Sequence, residues 1–327
     1  MPAVHAERIL RELTDLWASL AKEQGKQSAQ SGVLRACSMT LIVAAEDEGD
    51  TAGVEQTLAE LMHSHPSRAI VLRPGLAGGG LDSRVFAQCW MPFGSRQQIC
   101  CEQIEITVPE DALDQASRVI LGLLAPDLPA VLWCRGRRWF ERAGFEQLYP
   151  LIRKLVIDSC SFGDDQRAFT LIDELRGKGP VVADLAWTRL TAWREMIAGA
   201  FEGPAAKTAE AVREIVLEFY GDAPSVSVLY LGAWLRRAMP SAAVSMQRAG
   251  GELGQVGGVQ LKGDGVDIRF TRTGGDAVQV SGTAHMETIM LPHADDARSM
   301  QEELSITGRD PVFEDAYRRA SGPKGAR

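Results

Sequence analysis

The sequence predicts an α/β protein: a doubly wound, mixed but mostly parallel sheet in an N-terminal domain, then a second, smaller α+β domain containing a β-meander. Three observations carry that prediction. From about residue 40 to 185, short apolar runs alternate with amphipathic stretches at helical spacing, as in sheets covered by crossover helices. The runs TLIVAA (40–45) and SRAIVLRP (67–74) flank one such stretch, so a right-handed crossover joins a parallel pair. Beyond residue 211 the runs shorten, alternate and are divided by glycines, as antiparallel strands are. GPAAKTAEA (203–211) reads as the connection, which sets the domains at 1–203 and 204–327.

Each element has its own warrant. Ile9, Leu10, Leu13, Leu16, Trp17 and Leu20 recur at helical spacing, predicting a leading amphipathic helix over 5–20; the polar KEQGKQSAQSG after it reads as a loop. Asp50 or Thr51 caps a helix running to about Ser64, with Val54, Leu58, Leu61 and Met62 inward. LDSRVFAQCWM (81–91) and QICCEQIEITV (98–108) read as antiparallel neighbours joined at Pro92–Ser95. A helix over 110–124 follows, with acids in its first turn. Then come a strand at 130–135, a helix at 145–154, a strand at 155–160, a helix at 165–176 and a strand at 180–185. The second domain offers a strand at 214–220, a helix from Ser225 to Met239 and strands at 265–272, 277–282 and 286–291. Helices near 294–304 and 311–320 end it.

Composition excludes several classes of function. The chain has 327 residues, 45% of them hydrophobic, and a formal charge of −8 without any long block of Lys or Arg. A general nucleic-acid binder needs a basic footprint, so none is expected here, although a local basic pocket for one phosphorylated ligand remains compatible. No signal pattern and no apolar run of about 18 residues is present, which predicts a soluble, cytoplasmic protein without a membrane partner. The six cysteines (Cys37, Cys89, Cys100, Cys101, Cys134 and Cys160) show no C-x-x-C spacing and read as buried free thiols. Neighbours on a strand point to opposite faces, so Cys100 and Cys101 do not bond to each other.

The search for chemistry returns no catalytic, cofactor or metal site. GLAGGG (75–80) follows a strand, but a dinucleotide fingerprint needs a helix directly after the glycines, and a strand follows instead. It reads as a flexible hairpin connection. His63 and His65 lie two apart at a helix end, facing different ways, and suit the macrodipole there. No G-x-S-x-G elbow or H-E-x-x-H helix occurs. Glu46, Arg73, Arg135, Asp158 and Asp184 fall at C-terminal strand ends, where α/β sheets bind ligands and where buried strands also simply emerge into water. Of these, Arg73, Arg135, Asp158 and Asp184 are the candidate ligand-edge residues.

MTLIVAAEDE, HPSRAIVL, CCEQIEITV, DLPAVLWCRG, LVIDS and DLAWTRLTAWRE together resemble the glucose-6-phosphate dehydrogenase assembly protein (OpcA-like) family, in order from Met39 to Phe201. The tail, 205–327, fits that family's C-terminal domain more loosely. The resemblance implies a non-enzymatic partner of glucose-6-phosphate dehydrogenase that promotes its oligomeric assembly or activity in the oxidative pentose phosphate pathway. In photosynthetic members it also implies thiol redox control, which maps onto no cysteine pair here. A phosphosugar- or nucleotide-binding sensor, using a basic pocket at Arg73, Arg135 and Arg189, is the alternative.

DLAWTRLTAWRE (184–195) holds the candidate partner anchors: Trp187, Arg189, Trp193 and Arg194. Aromatic residues and arginine dominate interface energetics, so an exposed docking face is one reading. The other buries the indoles and pairs the arginines with carboxylates such as Asp184, in keeping with the high average burial of Trp. Thr191 reads as the N-cap of a following helix.

Overall fold

The computed structural model describes residues 5–25, 33–47, 49–92, 97–163, 165–202, 209–250, 256–282 and 286–322. The chain divides into two compact units, Met1–Ser161 with Asp173–Ala183, and Phe162–Ile172 with Asp184–Arg327. That division falls ahead of the expected boundary at 203/204, which lies outside the described residues, as do most of the loop after the first helix and of the Pro92–Ser95 turn.

In the first unit, β1 (Val33–Arg35), β2 (Met39–Ala44), β3 (Ser67–Gly75), β4 (Asp82–Trp90), β5 (Gln98–Pro109), β6 (Ala130–Cys134), β7 (Lys154–Ile157) and β8 (Val181–Asp184) form one sheet. Its order is β1-β5-β3-β2-β6-β7-β8, with β4 paired to β5. The β2–β3, β3–β5, β2–β6 and β6–β7 pairs are parallel, and β4–β5 is antiparallel. Chain order runs outward from β2 through β3 to β5, then resumes on β2's other side with β6. That reversal makes the β2/β6 ends a topological switch point. β2 and β6 are buried at every position, as strands covered on both faces must be. The helices of this unit include α1 (Ala6–Gly25), which packs against β4, β1 and α3 (Leu113–Leu123), and α2 (Thr51–Leu61), which buries Val54, Leu58 and Leu61; α3 buries Ala116, Ile120 and Leu123 and packs on β5. The Trp17 indole of α1 donates to Glu102 at 2.6 Å, and this buried carboxylate also holds Arg68 and Arg35 at 2.7 Å each.

The second unit's sheet comprises β9 (Val212–Tyr220), β10 (Ala243–Ala249), β11 (Val256–Gly263), β12 (Val266–Gly274), β13 (Ala277–Ser281) and β14 (Met286–Met290), in the order β10-β9-β11-β12-β13-β14. β11 to β14 pair antiparallel in sequence, the expected meander, while β9 and β10 are parallel across a helix. With α4 (Asp165–Arg176), which straddles the division, the helices are α5 (Leu185–Thr188), α6 (Thr191–Gly199), α7 (Val226–Ala238), α8 (Asp296–Ser305) and α9 (Pro311–Ala320).

Several local expectations are corrected. The helix expected at 145–154 is a 3-10 turn, Phe145–Leu151, behind another at Arg137–Glu141. Gly144 sits at φ 86° and Pro150 lies inside the second turn without an N–H to donate, so no α-helical ladder propagates. The strand expected to reach residue 160 stops at Ile157, and Ser159–Phe162 turns instead. β1, β10 and β11 lie outside the strands that the sequence pattern predicts. Finally, Cys89 and Cys100 are not free thiols: they face each other across β4 and β5, Cα atoms 4.1 Å apart, and form a disulfide.

Candidate functional site

The switch point is where a doubly wound sheet offers a ligand its strand ends and the first helix N-terminus. Here the segment leaving β2 reads Ala45, Glu46, Asp47 and enters α2 at Asp50. The Asp50 side chain does not cap its own helix. Its carboxylate accepts from Arg135, at the end of β6, through Nε at 2.6 Å and Nη2 at 3.0 Å, and from the Glu46 backbone N–H at 3.1 Å. Both side chains are more than four-fifths buried, and the guanidinium lies 4.6 Å over the Trp133 ring. Gly53, on the first turn of α2, lets the pair close: a Cβ there would stand 3.3 Å from Asp50 Oδ1 and 3.5 Å from Arg135 Nη2. The Trp139 indole donates to the Ala45 carbonyl at 2.6 Å and seals the segment from below.

These residues do not fit a dinucleotide. A carboxylate fills the seat beside the first helix, and the glycine fingerprint is missing. The adjoining cleft, about 430 Å³, is lined by Glu46, Asp47, Glu110 and Glu141 against Arg138 and Arg142. Burial pulls the Arg142 guanidinium below its ordinary value, with Glu110 opposing that shift. Four carboxylates against two arginines leave this lining net negative, and neither arginine carries an unmatched buried donor among the described residues.

Arg73 emerges from β3 a short way along the edge. It donates to Glu105 at 2.8 Å and lines a second cleft of about 410 Å³ with Thr51, Arg84, Phe86 and Thr107. Asp158 accepts from the Cys160 backbone at 3.3 Å and shapes the turn after β7. Asp184 is 1% exposed: it caps α5 through the Ala186 N–H at 3.0 Å and accepts from the Tyr230 hydroxyl at 2.9 Å. Of the four ligand-edge candidates, Arg73 alone lines a cleft described here; Asp184 is interior structure.

In the second unit, DLAWTRLTAWRE forms a clamp. Trp187 is 3% exposed, packed on Phe313 and Tyr230, and its indole donates to Asp310 at 3.0 Å. The Arg194 guanidinium covers the other side, 3.8 Å from the ring centroid. Trp193 is 2% exposed, with Arg272 5.7 Å from its ring. Arg189 pairs with Asp296 at 2.8 Å. Thr191 is not the N-cap, a position held by Leu190; its hydroxyl accepts from Arg194 at 2.7 Å and donates to Glu302 at 2.5 Å. Thr188 donates to the buried Glu303 at 3.0 Å. Burial lowers the Arg194 pKa and raises that of Glu302. The buried-packing alternative therefore describes both indoles, and both arginines have intramolecular partners. Asp50, Asp310, Glu302 and Glu303 were absent from the sequence-derived sites; the carboxylates lie 85 to 123 residues from the side chains they hold, and no local pattern announces them.

Strand order, the Asp50–Arg135 pair at the switch point and the meander unit define a doubly wound α/β protein with a second, mostly antiparallel sheet. The chain belongs to the glucose-6-phosphate dehydrogenase assembly (OpcA-like) family. Residues 58–174 match the family profile described as the glucose-6-phosphate dehydrogenase subunit N-terminal domain, and 180–317 match the C-terminal domain of that description. A relative from Nostoc punctiforme, named putative OxPP cycle protein OpcA, is 30% identical over 210 residues, 62% of this chain and 44% of its own. One of the same name from Synechococcus elongatus is 29% identical over 193 residues, 58% and 43%. The chain thus spans less than half the length of these relatives. Among solved structures, levoglucosan dehydrogenase with NADH and levoglucosan is 10% identical at a TM-score of 0.46, over 86% of this chain and 94% of that one. An aldose–aldose oxidoreductase from Caulobacter crescentus is 11% identical at 0.47, with the same coverage. Among the described residues, no helix is long and apolar enough to cross a membrane.

Proposed function

We propose that this chain is a cytoplasmic, non-enzymatic partner of glucose-6-phosphate dehydrogenase that favours the enzyme's assembled or active form in the oxidative pentose phosphate pathway. The observation that carries this reading is that successive parts of the chain match domains described as belonging to a glucose-6-phosphate dehydrogenase subunit. The closed phosphate seat supports it, because a carboxylate stands where a dinucleotide would have to enter. A partner needs no chemistry of its own. Whatever binds the assembled enzyme better than its free subunits shifts the equilibrium toward assembly, by no more than that difference in affinity. Trp187, Arg189, Trp193 and Arg194 serve this role indirectly in our reading, by holding α5, α6, α8 and α9 in one arrangement and so fixing the surface offered.

The test mixes the purified chain with glucose-6-phosphate dehydrogenase of the same organism, following mass by light scattering and rate by NADPH formation. A heavier species with a higher rate is expected. Unchanged mass and rate, under both reducing and oxidising conditions, would remove the proposal.

A further inference from the structure

The cleft beside Arg73 carries an inference that stands apart from the partner reading. Arg73 of β3, Glu105 of β5 and Arg84 of β4 line one cleft across neighbouring strands: Glu105 accepts from Arg73 Nη2 at 2.8 Å, Arg84 stands opposite Glu105 in the β4–β5 register, and Arg73 stands opposite Thr107, two residues further along β5. Glu105 also accepts from Gln103 at 3.3 Å, on the same Oε1 that holds Arg73. The lining as a whole carries three carboxylates, Glu105, Glu55 and Asp82, against these two arginines, so the pull on an anion comes from an unmatched donor and not from net charge. Arg73 is almost nine-tenths buried, and its Nη1 has no hydrogen-bond partner among the described residues. A buried guanidinium donor left unmatched is costly, so an acceptor belongs at that position. Arg84 makes no ion pair among the described residues.

The rest of the lining narrows the ligand. Thr51, in the first turn of α2, and Thr107, at the end of β5, place hydroxyls beside the arginines, and the helix N-terminus adds a positive partial charge. Glu55 and Asp82 also line the cleft and can accept from ligand hydroxyls; Phe86, 41% exposed, presents an aromatic face. Anion seat, hydroxyl acceptors and ring surface suit one chemistry, a phosphate monoester on a hydroxylated ring. They do not suit a dinucleotide, since the neighbouring pyrophosphate seat is filled by Asp50.

We infer that the cleft between α2 and the β3–β5–β4 face binds a phosphate monoester of a sugar or nucleoside, with Arg73 and Arg84 holding the phosphate. Isothermal titration of the full chain tests this with ribose 5-phosphate, AMP and inorganic phosphate, and with ribose, adenosine and NAD as controls. Saturable binding of a monoester, weakening with salt, is expected; AMP alone identifies a nucleotide site and ribose 5-phosphate a sugar-phosphate site. Arg73→Gln and Arg84→Gln should each weaken it by about tenfold or more. Arg269→Gln, in the second unit, should leave it unchanged. If Arg73→Gln fails to fold, Arg84→Gln decides, because that side chain is exposed. No monoester binding at millimolar concentration, or unchanged affinity in the variants, overturns the site. Loss of this binding leaves the partner proposal standing, and absence of a complex with the dehydrogenase leaves this one standing.

Discussion

In the first unit, Arg135 at the end of β6 meets Asp50, 85 residues away, and the pair closes the strand ends where a doubly wound sheet would take a ligand. In the second, Arg189 and Arg194 meet Asp296, Thr191 and the aromatic face of Trp187, and those contacts fasten helices to one another. The raw signal is the same in both: an arginine beside an aromatic ring, at a place that invites a functional reading. What separates the outcomes is the partner the fold delivers. A carboxylate delivered to a strand end occupies the arginine there; one delivered between helices becomes a tie. Among the described residues Arg73 and Arg194 each keep one guanidinium nitrogen unmatched, Nη1 and Nε, and of the two only Arg73 lines the clefts described above.

The largest way to break this comparison lies in the clamp. Trp187→Ala should destabilise the second unit by roughly 3–5 kcal/mol, the range for removing a buried aromatic side chain, and it also leaves Asp310 without its indole donor. Denaturant unfolding of the full chain, followed by hydrogen exchange at the amides of α5 and α9, measures it. A variant of normal stability that merely fails to engage the dehydrogenase would return Trp187 to the role of an exposed anchor.

A smaller effect tests the closed seat. In a double-mutant cycle, Asp50→Asn and Arg135→Gln should each destabilise, with a coupling of about 1–3 kcal/mol for a mostly buried, bidentate pair. Neither single variant should gain affinity for NAD or NADP, since the glycine fingerprint is still missing. Independent effects that simply add would mean the two residues do not act as one lock.

How far the sequence announced all this follows from the range of each interaction. Parallel strands such as β2 and β6, buried at every position, show as unbroken apolar runs, and the α2 crossover shows as helical spacing between two of them. The antiparallel β4–β5 pair was legible too, but not its register; register alone puts Cys89 opposite Cys100, so the disulfide was invisible. β10 and β11 escaped because AVSMQRA mixes polar and apolar residues on a half-exposed strand and VGGVQLKG opens with glycines. DLAWTRLTAWRE displays the anchors of the clamp and is compatible with packing and with docking. Its partners lie in α8 and α9, more than 100 residues on, and only the tertiary fold selects between the two readings.

The finest test concerns the charge of Glu302. Burial raises its pKa, and Glu303 and Glu195 add to the rise; the Thr191 hydroxyl and Arg194 act against it without cancelling it. A carboxyl with a folded pKa above its unfolded value holds more protons folded than unfolded between the two. Its contribution to stability is therefore full below the unfolded value and is lost as pH rises through the folded one. Glu302→Gln keeps a carbonyl acceptor for Thr191 and removes the charge. The variant and the parent should match in acid, and the variant should become the more stable as pH climbs from the ordinary glutamate range toward neutrality. The gap should stay below about 1 kcal/mol, because the side chain is only half buried and solvent screens it. Unfolding midpoints at several pH values give the answer. If the parent were the more stable at neutral pH, the attraction between ionised Glu302 and Arg194 would outweigh the burial of the carboxylate, and the clamp would owe part of its strength to an ion pair.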